Sequence, residues 1–111
     1  MTAMATFELV AGDLEPALDI DLTVDGAAED VSDATDVITM HWRRPDGTTA
    51  NVVLTNVDLT RGEVQYQWQP GDTLVPGIHR AQVTVPRPQG PQTFPSDGTY
   101  IRWVVHPLVT G

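Results

Sequence analysis

From Ala17 to Val24 the chain alternates strictly: Leu18, Ile20, Leu22 and Val24 are apolar, and Asp19, Asp21 and Thr23 between them are polar. A period of two places the four apolar side chains on one face of a β-strand and leaves the other face in water. The same pattern recurs along the sequence. Val37 to Arg44 points Ile38, Met40 and Trp42 inward and Thr39, His41 and Arg43 outward. Thr48 to Thr55 points Ala50, Val52 and Leu54 inward; in Glu63 to Trp68, Val64, Tyr66 and Trp68 share a face. Gly77 to Val85 follows with Ala81, Val83 and Val85, and Tyr100 to Val105 with Ile101, Trp103 and Val105. Thr6 to Val10 makes a short first strand, closed by Ala11-Gly12-Asp13. No stretch carries the 3.6-residue period of a helix.

Turn residues separate these runs. Nine Pro and nine Gly punctuate the 111 residues, so no run is long. Asp25-Gly26, Pro45-Asp46-Gly47, Arg61-Gly62 and Pro70-Gly71-Asp72 each supply the preset φ of proline or the positive φ of glycine that a tight turn needs. Ala27 to Thr35 is acidic, small and irregular, and reads as a loop with Val31 tucked into the core. Pro86 to Pro95 holds four prolines and a glycine, a density that no central strand tolerates. About seven strands, each with one apolar face, must bury those faces against one another in two packed layers. The expected fold is all-β, an immunoglobulin-like antiparallel β-sandwich filling residues 1–111 as a single domain.

Charge narrows the function classes. Six Lys+Arg, all of them arginine, stand against 15 Asp+Glu, for a net charge of −9. Such a chain repels phosphate backbones and anionic headgroups, which argues against nucleic acid and membrane surfaces as partners. There is no cysteine, which removes disulfide scaffolds, thiolate zinc sites and cysteine nucleophiles. The segment Met1-Thr2-Ala3-Met4 has neither a basic n-region nor an apolar h-region, and no apolar run approaches the ~20 residues of a membrane helix. The expectation is a soluble protein made in a cytoplasm.

The candidate chemical groups each have a structural reading beside the functional one. Ten acids fall between Glu8 and Asp36 with no cation among them. Asp19, Asp21 and Asp25 do not have EF-hand spacing, and two of them lie on a strand. Within the loop, Glu29, Asp30, Asp33 and Asp36 are candidates for docking a partner. Arg43 and Arg44, before the Pro45 turn, form a small basic point that could meet the acidic loop of a neighbouring copy or pair within the chain. His41, His79 and His106 fall at the ends or outward faces of three strands and share no metal-ligand spacing. Ser32 and Ser96 each sit beside an aspartate in a turn, as in Asx or ST turns, and neither lies in a nucleophile elbow. Trp42, Trp68 and Trp103 would make a sugar-stacking platform if exposed, but alternation places all three inward. No metal, cofactor or catalytic constellation is expected.

The segment Gly62-Glu63-Val64-Gln65-Tyr66-Gln67-Trp68, then Gly71-Asp72-Thr73, then Pro76-Gly77-Ile78-His79-Arg80-Ala81, resembles the N-terminal domain family of phage baseplate upper proteins. The Arg43-Arg44-Pro45-Asp46-Gly47 turn and the Thr93-Phe94-Pro95-Ser96-Asp97-Gly98 turn share in the resemblance, which spans roughly residues 12–106. His79 stands where the family usually has an aromatic residue. The resemblance implies a non-enzymatic structural or adaptor protein of a tailed-phage virion, in the tail, baseplate or neck. It would dock on neighbouring virion proteins in multiple copies of a symmetric assembly, weakly associated when free. It brings no catalytic residue and no cofactor. A capsid decoration protein of the same particle is the alternative within that class, and a carbohydrate-binding β-sandwich module is the alternative outside it.

Overall fold

A computed structural model describes residues 7–95 and 100–109. Thr6 and the Ser96-Asp97-Gly98 part of the late turn lie outside the described residues. The strands are β1 (Phe7–Val10), β2 (Leu18–Asp21), β3 (Thr23–Val24), β4 (Ala27–Ala28), β5 (Thr39–Arg43) and β6 (Thr49–Val53). They continue with β7 (Thr55–Asp58), β8 (Glu63–Tyr66), β9 (Gly77–Arg87), β10 (Gly90–Phe94) and β11 (Ile101–His106). A single 3₁₀ turn, Leu59–Arg61, joins β7 to β8.

Two sheets face each other. The larger runs β1-β11-β9-β5-β6, with β10 beside the far half of β9; the smaller runs β2-β8-β7. That is the strand arrangement of an immunoglobulin-like sandwich, in which strands B, E and D pack on C, F and G. One pairing departs from the expected antiparallel pattern: β1 lies parallel to β11, with Phe7 opposite Trp103 and Val10 opposite His106. The apolar positions named by alternation meet between the sheets. Leu18, Ile20 and Val64 come from the smaller sheet, and Met40, Trp42, Ala81, Val83, Val85, Ile101, Trp103 and Val105 from the larger. Val31 is fully buried, as its place in the loop suggested.

Three segments differ from the sequence reading. Thr48 to Thr55 is not one strand of a hairpin. β6 ends at Val53, opposite Thr39 in the larger sheet, and β7 begins at Thr55, opposite Gln65 in the smaller. Leu54 carries the chain across: its side chain is buried and its N–H donates to the Ile38 carbonyl at 2.9 Å. Ala17 to Val24 is interrupted at Leu22, whose N–H donates to the Gly62 carbonyl at 2.7 Å, and Thr23–Val24 then pairs with Ala27–Ala28 in a separate ribbon. The proline-rich stretch is strand after all. β9 continues to Arg87 and β10 folds back on it. The prolines are tolerated because β10 pairs with β9 alone, and because Pro91 stands opposite Pro86, where neither residue has an N–H to offer the ladder. The hairpin delivers Phe94, fully buried, to the core.

Candidate functional site

The centre of the sandwich is aromatic. Trp42, Trp68 and Trp103 are buried to 2% exposure or less, with ring centroids 5.4–5.9 Å apart. Tyr66 meets Trp42 and Trp68 edge-on. No indole face is available for sugar stacking. His79, read from the sequence as an end or outward residue, is also at 0% exposure. It shares the parity of Ala81, Val83 and Val85, and its ring lies stacked on Trp103. The Trp42 indole Nε1–H donates to His79 Nδ1 at 2.9 Å, and the other ring nitrogen meets the Val75 carbonyl at 2.8 Å. An accepting Nδ1 assigns the proton to Nε2, so the ring is neutral. Burial pushes its pKa below the ordinary histidine value.

The acidic loop is not left free. Arg87, at the end of β9, reaches into it. Its guanidinium bonds the Asp33 carboxylate, the Glu29 carboxylate and the Asp30 carbonyl, each at 3.0 Å. Asp30 Oδ1 accepts from the Ser32 N–H at 2.8 Å, the expected local turn, and hydrogen bonding from the Ser32 hydroxyl first, and its N–H second, holds the Asp30 carboxyl below the usual range. Asp36 accepts from the N–H of Val37. Three of the four loop acids thus gather at one arginine far away in sequence, in a partly buried ion-pair network.

Arg43 and Arg44 sit at the opposite end of β5 from that loop, so the structure does not bring the two predicted groups together. It also separates the arginines from each other. Arg44 turns back over the core, with its guanidinium carbon 4.4 Å from the Trp42 ring centroid. Arg43 faces outward, and its register partner on β9 is Arg80. Arg80 is in turn opposite Arg102 on β11. Three exposed arginines therefore form a row across three adjacent strands on the outer face of the larger sheet, at roughly 4.8 Å per strand. None of the three has a carboxylate partner among the described residues. Tyr100, half exposed, borders the row, with the Arg80 guanidinium 6.0 Å from its ring. On the other side lie Ile78, also about half exposed, and Val104 opposite it. A shallow pocket of about 170 Å³ between His41, Arg43, Asn51, Arg80, Gln82 and Tyr100 marks the same face.

The remaining histidines have structural partners. His41 contacts Asn51 at 2.8 Å and Thr84 at 2.9 Å, and His106 contacts Glu8 at 2.8 Å. Among the described residues no three His, Asp or Glu side chains gather as a metal site. Arg80 and Arg102 were not singled out from sequence. Alternation already pointed both outward, beside Ala81 and between Ile101 and Trp103, but only the strand order shows that they are neighbours. Compared with protein-family models, curated proteins and solved structures, the chain has no significant match.

Proposed function

We propose that this chain is a non-enzymatic docking domain: a structural or adaptor component of a tailed-phage particle, in its tail, baseplate or neck, held in many copies among neighbouring virion proteins. The arginine row carries the docking reading. Like charges directly opposite each other in a sheet are destabilising, yet half of this chain's six arginines stand in one such row. An acidic surface laid on the row would relieve the repulsion. Arginine and tyrosine beside apolar residues is also the composition of interface centres. The phage assignment rests on the turn and strand pattern of residues 12–106 described above.

A capsid-decoration role would use the same face and differ in which neighbour supplies the acid. The carbohydrate reading loses its platform with the burial of all three tryptophans. The pocket beside the row is also smaller than the ~300–1,000 Å³ of most small-molecule sites.

Purified particles provide the test. Wild-type chain should be present in multiple copies, and a folded Arg80→Glu variant should be depleted. Particles that lack the wild-type chain, or that retain the variant at full copy number, overturn the reading.

A further inference from the structure

The smaller sheet has its own like-charge row. Asp21 on β2 is opposite Glu63 on β8, and Glu63 is opposite Asp58 on β7. Ile20 and Val64, one position along, point into the core, so Asp21 and Glu63 project from the outer face. Asp19, two residues from Asp21, is exposed on that same face and accepts from Gln65 at 2.7 Å. Opposition to this charge is slight: Arg61 approaches Glu63 at 3.5 Å while largely exposed, and Asp21 has no partner among the described residues. One side of the sandwich thus carries three arginines in register across three strands, and the other side carries a row of three acids across three strands, with a bulge in β7 just before Asp58.

Of the remaining cations, Arg44 lies over Trp42 and Arg87 is held by Glu29 and Asp33, while Arg61, on the acidic side, offsets part of the charge of Glu63. The charge is therefore polar across the thickness of the domain, even though the net charge is −9.

We propose that the arginine row docks on the acidic row of a second copy of this chain, front to back; this rests on the docking reading above and names its partner. Front-to-front contact would set Arg43, Arg80 and Arg102 against themselves, and back-to-back contact would do the same to Asp21, Asp58 and Glu63. Only the front-to-back contact pairs opposite charges, and it relieves the like-charge strain on both faces at once. Each row spans two inter-strand spacings, about 10 Å, so the two footprints match in length. Because the two faces differ, the contact is heterologous and leaves a free face at each end. It propagates to a ring or a stack.

Net repulsion between copies sets the conditions under which this shows. At about 0.15 M salt the screening length is ~8 Å, shorter than the distance between the centres of two stacked sandwiches, so monopole repulsion is damped while contacting pairs still attract. At about 1 M, with a screening length of ~3 Å, the contact pairs are weakened as well.

The test is sedimentation equilibrium of the full chain with two charge reversals at the middle positions of the two rows, Arg80→Glu and Glu63→Arg. Each reversal places opposite charges side by side on its own sheet, so both variants should be at least as stable as wild type in urea. Wild type should self-associate at ~0.15 M salt and dissociate towards ~1 M. Either variant alone should associate at least about tenfold more weakly, because each then sets the middle residue of one row against a like charge in the middle of the other. An equimolar mixture should recover association to near the wild-type level, since the reversed face of one matches the reversed face of the other. A wild type that stays monomeric, variants that associate like wild type, or a mixture that fails to recover would each overturn the proposal. If wild type is monomeric yet Arg80→Glu is still lost from particles, the docking reading stands with another acidic protein as partner.

Discussion

His79 makes the sandwich sensitive to acid in a way that can be isolated. Its ring is neutral and fully buried, with Nδ1 accepting from Trp42 and Nε2 directed at the Val75 carbonyl. Adding a proton at Nδ1 would set two N–H groups against each other and leave a cation between two indoles. Burial is the main cause that lowers the pKa. Arg44 adds to it, while the Val75 carbonyl and Asp46 oppose it. In the unfolded chain the imidazole regains its ordinary value near 6.5. The folded value is lower, so the unfolded state binds more protons over the interval between the two, and stability falls as pH falls through it. Stability is therefore complete above about pH 6.5 and drops by up to about 1.4 kcal/mol per pH unit below it, until the folded pKa is reached. Between pH 7 and pH 5 this single group should cost up to about 2 kcal/mol.

The assay is urea unfolding followed by tryptophan fluorescence at both pH values, for wild type and for His79→Phe. The variant should be weaker at pH 7 by about 1–3 kcal/mol, because Trp42 loses its buried acceptor. Its further loss at pH 5 should be smaller than that of wild type. His41, His106 and the carboxylates are common to both proteins and cancel in the comparison. Equal losses between pH 7 and pH 5 in the two proteins would refute the assignment of a buried neutral ring.

Three further outcomes follow from packing. A Cβ added at Gly62, where φ is +68°, would lie 2.6 Å from the carbonyl oxygens of both Glu29 and Leu22. Gly62→Ala should therefore cost about 2 kcal/mol or more beyond Gly47→Ala, where no atom lies within 4 Å, as measured by the shift in urea midpoint. Trp103→Ala should destabilise by roughly 3–5 kcal/mol, and native wild type should resist acrylamide quenching, whereas ready quenching would place the indoles wrongly. Arg87→Met removes the bonds to Asp33, Glu29 and Asp30. It should cost about 1–3 kcal/mol and speed amide exchange at Val31 and Ala34, both of which are bonded within that region.

Alternation was informative wherever one face is buried and the other wet, as at Leu18 to Leu22 and Thr39 to Arg43. It says which way a side chain points, and it carries no information on which strand lies alongside. The sequence therefore groups Arg43 with its chain neighbour Arg44, whereas in space it stands opposite Arg80, in one row with Arg102. Arg87 reaches the acidic loop across a separation that no local pattern spans. His79 differs for another reason: its parity matches Ala81 and points inward, whereas the polarity of an imidazole argues for the surface. A buried imidazole is acceptable here because the Trp42 N–H and the Val75 carbonyl satisfy both nitrogens. Proline density from Pro86 to Pro95 argues against a central strand, yet β9 runs on to Arg87 where β10 pairs with it, and β10, paired on one side only, needs far fewer N–H donors.

The pairing of β1 with β11 bears on how fast this molecule reaches its native state. Phe7 finds Trp103 across almost the entire described chain, and β11 must first dock on β9 before β1 has an edge to join. Closing so large a loop costs entropy before any contact compensates it, which puts the domain among the non-local β-topologies that fold on millisecond-to-second times. During synthesis, Phe7 to Val10 emerges long before its partner exists. The larger sheet is finished only when the latest of the described strands recruits the earliest.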